Sequence, residues 1–177
     1  MKSALVCLLA MGAMLVTARA ADVTTKITGV HLCCPACVTA AQKAVTDSAP
    51  AVKTVVDREG ETITLTGADT ASVQKAADGL VKAGYFGKSS NGDIKMNTDT
   101  GAKGQQVKTL DVSNVHICCP SCAKAVTNAV LAVPGVKAAT GVEKNAKTFQ
   151  VTGDFKDSDI FAALQKVGLT GVAGPAK

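Results

Sequence analysis

Two short cysteine-rich segments contain the residue types in this sequence best suited to chemistry. Residues 33–37 and 118–122 each read Cys-Cys-Pro, one variable residue, then Cys. Two thiols separated by two residues can reach one small ion from a single loop, and soft thiolates select soft or borderline ions over Mg²⁺ or Ca²⁺. The pattern therefore predicts a site for Cu(I), Zn(II), Cd(II) or Hg(II) in each segment.

The proline in each segment predicts where a helix begins. Pro is tolerated in the first turn of a helix and poorly inside it, so helices are expected to start at Pro35 and Pro120. The two thiols of each Cys-x-x-Cys pair would then face the positive end of a helix, which lowers thiol pKa values and favours thiolate. The predicted metal ligands are Cys34 with Cys37 in the first segment, and Cys119 with Cys122 in the second.

Several roles remain open for the cysteines and for two nearby histidines. Either Cys-x-x-Cys pair could form a labile disulfide in an oxidising compartment. Cys33 and Cys118 could each be a third sulfur ligand, a disulfide partner or a small buried residue. His31 and His116 are exposed strand-end residues by default, but their recurrence ahead of both segments makes them additional candidate ligands.

The two segments belong to an internal duplication. Cys118 follows Cys33 by 85 positions, and four blocks match in the same order. The matched blocks are 29–37 with 114–122, 50–53 with 134–137, 62–67 with 148–153, and 80–84 with 164–168. The chain is therefore predicted to contain two copies of one small domain.

Each copy has the same predicted order of elements. A strand leads into each cysteine segment, an amphipathic helix follows, and then come two strands, a second helix and a short last strand that begins at Tyr85 or Leu169. This βαββαβ order predicts an α+β fold with two ferredoxin-like domains in tandem. The predicted divisions are domain 1 at 21–90, a polar Gly-rich linker at 91–105, and domain 2 at 106–177.

The first twenty residues have the layout of a secretory signal peptide. Lys2 precedes an apolar run, and Ala18 and Ala20 stand before a cut that would leave Ala21 first. The sequence thus predicts a signal peptide at 1–20 and an exported protein, periplasmic or secreted. No later segment is long and apolar enough to predict a membrane span in the mature chain.

Composition argues against two other function classes. The formal net charge is only +5, aromatic residues make up 3% of the chain, and neither fact favours nucleic-acid binding. The sequence contains no recognisable catalytic set and no phosphate-cradling Gly loop, so no catalytic residues are predicted.

The strand leading into Cys-x-x-Cys, the βαββαβ order and the Ala83-Gly84-Tyr85 end of the second helix resemble heavy-metal-associated domains. The resemblance covers roughly residues 22–90 and 106–173. It implies a binding protein for a thiophilic metal, with Cu(I) favoured and Zn(II) or Hg(II) as alternatives, and a metal transporter or acceptor protein as partner. It also implies that Tyr85 packs close to its metal loop.

The chain departs from the family pattern at three points. Where the family usually has Gly-Met ahead of the motif, this chain has His31-Leu32 and His116-Ile117, with Leu and Ile able to fill the buried role of Met. An extra cysteine occupies the variable slot in both copies. The second copy has Leu169 where the first has Tyr85.

Three functions are consistent with these sequence features. The leading interpretation is an exported carrier, buffer or scavenger of a thiophilic metal, with no enzymatic activity. The alternative is a thiol–disulfide oxidoreductase that uses the Cys-Pro-x-Cys motifs. A third is an interaction module in which the cysteines are merely structural.

Overall fold

A computed structural model describes residues 21–174, in which each copy forms a four-stranded antiparallel sheet with two helices. The elements of the first repeat are β1 (Val23–Thr28), α1 (Pro35–Ser48), β2 (Lys53–Asp57), β3 (Thr62–Gly67), α2 (Thr70–Lys82) and β4 (Lys88–Ser89). Its strands lie in the order β2-β3-β1-β4. Antiparallel pairing places Ile27 opposite Ile63 in the central strands.

The second repeat has the same topology. Its elements are β5 (Gln106–Ser113), α3 (Pro120–Leu131), β6 (Val136–Thr140), β7 (Thr148–Lys156), α4 (Asp157–Lys166) and β8 (Val172–Ala173), with strand order β6-β7-β5-β8. The predicted α+β class with two ferredoxin-like βαββαβ units is confirmed. The predicted signal peptide at 1–20 lies outside the described residues. Across residues 21–174, no helix combines the length and apolar character needed to cross a bilayer.

The helix starts are confirmed where proline placed them. Cys34 and Cys119, the residues before Pro35 and Pro120, are both extended, with φ −151° and ψ 165° or 168°. An extended residue followed by Pro is the usual entry to a helix, because Pro disfavours the helical conformation in the residue before it. Each helix then buries one stripe against its sheet: Cys37, Ala41 and Val45 in α1, and Cys122, Val126 and Val130 in α3.

The last strands begin later than the sequence pattern predicted. Strand β4 starts at Lys88 and β8 at Val172, whereas Tyr85 and Leu169 form an antiparallel bridge with each other across the two repeats. The prediction was wrong because it assigned these residues to their own sheets. They belong instead to a contact between repeats.

This contact is built from backbone groups related by an approximate twofold relation. The Phe86 amide donates to the Gly168 carbonyl at 3.0 Å, and the Thr170 amide donates to the Gly84 carbonyl at 2.9 Å. Gly84 has φ +88° and Gly168 has φ +75°, a region that favours glycine. A Cβ on Gly168 would meet the backbone of residues 29–31, and one on Gly84 the backbone of residues 114–116. The two glycines therefore bring together the chain segments that enter the cysteine loops.

Residues 91–105, predicted as a linker, form neither helix nor strand in the described chain. They are nevertheless tied to both repeats. The Lys95 amide donates to the Gln74 side chain in α2 at 2.8 Å, and the amides of Lys103 and Gln105 each donate to the Asp157 carboxylate at 2.9 Å. The buried side chain of Ile94 adds an apolar anchor.

Candidate metal centre

Each helix start holds one Cys-x-x-Cys pair as predicted. The Sγ atoms of Cys34 and Cys37 are 3.6 Å apart, and those of Cys119 and Cys122 are also 3.6 Å apart. Cys37 and Cys122 are fully buried in the first helical turns, while Cys34 and Cys119 are partly exposed. Leu32 and Ile117 are buried, as expected for residues that replace the family Met.

The two loops meet, so the cysteines form one cluster rather than two separate sites. Cys33 Sγ lies 3.4 Å from the Sγ atoms of both Cys119 and Cys122. Across the same interface, Cys118 Sγ lies 3.5 Å from Cys34 Sγ and 3.3 Å from Cys37 Sγ. The helix-turn thiols Cys37 and Cys122 are 3.8 Å apart. The sequence indicated a site in each copy, and the fold joins them.

The third cysteine of each loop has a place in this cluster. Cys33 Sγ is 3.7 Å from Cys37 Sγ, and Cys118 Sγ is 3.8 Å from Cys122 Sγ. Of the roles left open for Cys33 and Cys118, the geometry favours sulfur ligand over buried filler, because both are at least partly exposed and face the other thiols. All six cysteines among the described residues are free thiols.

Burial and neighbouring thiols raise the pKa values of most of these cysteines. Burial, followed by the thiols of Cys119 and Cys122, raises the pKa of Cys33, and burial likewise raises the pKa of Cys118. The Cys37 thiol and burial raise the pKa of Cys122. The Cys122 thiol acts to lower the pKa of Cys37, but burial and Cys118 outweigh it and the pKa is raised.

Cys119 differs from these cysteines because its pKa is lowered. Desolvation acts to raise its pKa, but the Cys122 backbone N–H and the Cys33 thiol outweigh that effect and lower it. The predicted lowering of all Cys-x-x-Cys pKa values is therefore wrong for Cys37 and Cys122. The helix-start argument considered one loop at a time, whereas burial and thiols from the opposite repeat also act on the pKa values of Cys37 and Cys122.

The two candidate histidines have different surroundings. Tyr85 Oη donates to the Cys37 carbonyl at 2.8 Å and lies 3.0 Å from His116 Nε2, with the two rings stacked at 4.5 Å. Because the single hydroxyl proton points to Cys37, His116 Nε2–H donates to Tyr85 Oη. Burial, with a smaller effect from His31, lowers the pKa of His116 to about 4, so its ring is neutral. The expected packing of Tyr85 against its metal loop is confirmed.

His31 lacks the partner that its counterpart has. Its Nε2 is buried without a hydrogen-bond partner, and one of its ring nitrogens lies within 4.8 Å of the Sγ atoms of Cys33 and Cys122. A buried polar atom left unpaired is costly unless something binds it. The structure thus places His31 at the cluster as a candidate donor and gives His116 a structural partner.

Several sets of three donors are close enough together to hold one ion each. Besides the set containing His31, they are Cys33/Cys34/Cys37, Cys34/Cys118/Cys119 and Cys37/Cys118/Cys122, with all ligand atoms in each set within 4.8 Å of one another. A donor set of thiols and one imidazole fits soft metal ions and excludes hard ones.

Three residues important to this arrangement were not recognised from the sequence. In the sequence, Gly84 marks a predicted helix end and Gly168 lies in a matched block, and neither pattern indicates that each glycine permits the close approach of the other repeat. Leu169 was noted as a departure from Tyr85, but its effect on His31 was not foreseen. The available clue was the recurrence of both glycines and of the extra cysteine in the two copies.

Comparisons with known proteins give one family. Residues 109–170 match the model of the Heavy-metal-associated domain, a stretch that includes the second cysteine segment. The chain is also similar to the solution structure of the N-terminal soluble domains of Bacillus subtilis CopA, with 18% sequence identity and a TM-score of 0.32. That similarity covers 88% of this chain and 95% of the other. No curated protein matches the chain.

Proposed function

We propose, from the premise that the second repeat is a heavy-metal-associated domain, that the protein binds thiophilic metal at a single site shared by its two repeats. The observation that carries the proposal is the convergence of both cysteine loops, with Sγ–Sγ distances across the interface as short as 3.3 Å. A shared site uses ligands from both loops at once. Metal binding would therefore also hold the repeats together.

Cu(I) is the favoured cargo. The donors are thiols with one additional imidazole, and soft thiolate ligands suit Cu(I) well. Zn(II) and Hg(II) remain alternatives with the same ligand preference. Both helices that flank the site direct their N-terminal ends toward it, which favours the negative charge of bound thiolates.

The proposed cellular role rests on the predicted signal peptide at residues 1–20. A protein exported with residues 1–20 removed would act as a carrier, buffer or scavenger of metal outside the cytoplasm, and would pass the ion to a transporter or acceptor protein. The partial exposure of Cys34 and Cys119 would let an acceptor thiol reach the metal. N-terminal sequencing of exported protein tests the leader: Ala21 as first residue supports it, and an intact Met1 contradicts it.

Removing one loop's cysteines tests the shared site. Cys34→Ser with Cys37→Ser, and separately Cys119→Ser with Cys122→Ser, are compared with the wild type for metal content after anaerobic purification under reducing conditions. We expect each double variant to lose more than half of the bound metal, because the surviving thiols lose their partners across the interface. Loss of half in each variant, with the rest bound as tightly as before, would mean two independent sites.

A thiol–disulfide oxidoreductase is less well supported. Such an enzyme needs an accessible thiolate of low pKa to attack its substrate. Here Cys37 and Cys122 are fully buried with raised pKa values, and Cys33 and Cys118 also have raised pKa values. Of the thiols whose pKa is shifted, Cys119 alone is partly exposed with a lowered pKa. The cluster is better suited to holding a cation than to exchanging disulfides.

A further inference from the structure

The six sulfur atoms of the cysteine cluster have a defined arrangement. The four Cys-x-x-Cys sulfurs form a ring in the order Cys34, Cys37, Cys122, Cys119, with edges of 3.6, 3.8 and 3.6 Å and a closing edge within 4.8 Å. Cys33 lies on one side of this ring and Cys118 on the other.

Each of these two extra sulfurs is close to every member of the ring. Cys33 Sγ is 3.7, 3.4 and 3.4 Å from the sulfurs of Cys37, Cys119 and Cys122, and within 4.8 Å of Cys34. Cys118 Sγ is 3.5, 3.3 and 3.8 Å from the sulfurs of Cys34, Cys37 and Cys122, and within 4.8 Å of Cys119. The six sulfurs therefore outline an octahedron.

An octahedron has eight triangular faces. Four alternate faces, no two of which share an edge, together include every corner twice. Three such triangles here are the thiol sets Cys33/Cys34/Cys37, Cys34/Cys118/Cys119 and Cys37/Cys118/Cys122. The fourth is Cys33/Cys119/Cys122, whose edges are 3.4, 3.4 and 3.6 Å. Six bridging thiolates would thus give three sulfur ligands to each of four ions.

We infer that the shared site takes up four Cu(I) ions as one thiolate-bridged cluster, with each ion in one of these triangular faces. The inference rests on the proposed metal-binding function and specifies its capacity. An ion in the plane of three sulfurs, with metal–sulfur bonds of about 2.3 Å, puts the sulfurs about 4 Å apart. The observed contacts of 3.3–3.8 Å are slightly shorter, so a small expansion of the octahedron accommodates the ions.

Charge and coordination number favour Cu(I) over Zn(II) at this site. The binding reaction 4 Cu⁺ + 6 RSH → [Cu₄(SR)₆]²⁻ + 6 H⁺ balances in atoms and charge, with each thiol proton released to solvent. The product carries a small negative charge, which the N-terminal ends of α1 and α3 stabilise. Zn(II) prefers four ligands in a tetrahedron and would leave three-sulfur faces short of a ligand. The extra cysteines are explained by the corners that they add to the octahedron: Cys33 supplies one and Cys118 the other.

Loading the reduced protein with Cu(I) under anaerobic conditions tests the inference. Cu(I) is supplied as its acetonitrile complex, and native mass spectrometry records the number of ions on each chain at increasing Cu(I). We expect protein with no Cu(I) and protein with four Cu(I) to dominate throughout, because bridging ions share ligands and bind cooperatively. X-ray absorption should show a short Cu–Cu distance and sulfur-only or sulfur-dominated ligation.

Paired variants sharpen the test. Cys33→Ser with Cys118→Ser removes one corner from every one of the four faces, so we expect maximal loading to fall from four Cu(I) to two or fewer. Ser121→Ala, at an exposed position between Pro120 and Cys122, keeps all six sulfurs and should still load four. Circular dichroism of each variant checks that the fold is retained, and the wild-type loading pattern stands as a test even if one variant misfolds.

The outcomes separate this inference from the proposed function. A maximum of one or two Cu(I) that requires both loops would overturn the four-ion cluster and leave a shared site. Two Cu(I), each lost only with its own loop, would overturn both, as would a failure to bind. Four Cu(I) retained by the Cys33→Ser/Cys118→Ser variant would overturn the octahedral assignment.

Discussion

Tyr85 of the first repeat and Leu169 of the second occupy matching positions and pair with each other, yet they leave two matching histidines in different states. Tyr85 gives His116 a hydrogen-bond partner and a stacking surface. Leu169 has no polar group to offer, and His31 Nε2 is buried without a partner. One residue difference in a duplicated scaffold therefore gives one histidine a structural partner and leaves the other unpaired beside the cysteine cluster.

The glycines at the interface show the opposite pattern, since both repeats use them in the same way. Gly84 and Gly168 each face the backbone that enters the other repeat's cysteine loop, at positive φ. The repeats are thus equivalent in how they approach each other and different in how they treat their histidines. Substitutions of the glycines test how the repeats approach each other, and substitutions of the histidines test how the repeats differ.

The largest effect is expected from Gly168→Ala. The new Cβ would be strained at positive φ and would collide with the backbone of residues 29–31, which together cost about 3 kcal/mol of unfolding free energy. Gly104→Ala is the matched control, because Gly104 has φ +70° but open space around its Cβ position. Chemical denaturation of both variants compares them. Equal destabilisation by the two changes would mean that the close approach of the repeats contributes nothing.

The two histidines should respond to substitution in opposite ways. His116→Ala removes the stacking and the hydrogen bond with Tyr85, and we expect a loss of about 2 kcal/mol in unfolding free energy. His31→Leu removes an unpaired buried polar atom, so stability should be unchanged or higher, while Cu(I) affinity falls by about tenfold. Denaturation and competition with a Cu(I) chelator measure the two properties.

The same loss of stability in both histidine variants, or a larger loss of Cu(I) affinity for His116→Ala, would contradict the division of roles. In that case the difference between Tyr85 and Leu169 would have no consequence for the site.

A smaller effect on stability is expected from the aspartates at the start of the second helix of each repeat. Asp69 accepts a hydrogen bond from the Ser72 amide, whereas Asp157 accepts from the amides of Lys103, Gln105 and Ser158 and so holds the connecting segment to α4. Desolvation acts to raise the pKa of Asp157, but these backbone donors outweigh it and lower the pKa. Asp157→Ala should therefore cost about 1–2 kcal/mol at pH 7.

The lowered pKa of Asp157 predicts how its contribution to stability changes with pH. A carboxylate with a pKa lowered by folding stabilises the protein above its unfolded pKa of about 3.9, and the stabilisation is lost as pH falls through the folded value. The stability difference between wild type and Asp157→Ala should shrink as pH falls below 4. A difference for Asp157→Ala that stays constant down to pH 2 would show that the carboxylate charge is not what matters.

The sequence predicted the features that depend on local pattern. Helices begin at Pro35 and Pro120, and the βαββαβ order is confirmed, because capping and periodicity act over a few residues. The start of the last strand and the acidity of Cys37 and Cys122 were wrong, since both depend on contacts with the other repeat. A duplicated sequence shows that two units exist, but it does not show that they face each other.

The sequence named the cysteines that the structure brings together, but not how they are arranged, and their role as metal ligands stays a prediction. Each cysteine named from the sequence lies in the cluster, and His31 lies beside it. Their assembly into one centre requires the approach of the loops at Gly84 and Gly168, which is a tertiary feature.

The central claim is that the two loops meet, and a cross-link between single cysteines tests it most directly. A variant keeps only Cys33 and Cys119 of the six, with the other four replaced by Ala, and is oxidised mildly at low protein concentration. Because the two Sγ atoms are 3.4 Å apart, we predict a disulfide within one chain that joins peptides of both repeats, identified by mass mapping. The same variant with Gly168→Ala should form it more slowly. If the two thiols stay reduced, or form only disulfides between chains, the loops do not meet and the shared metal site is wrong.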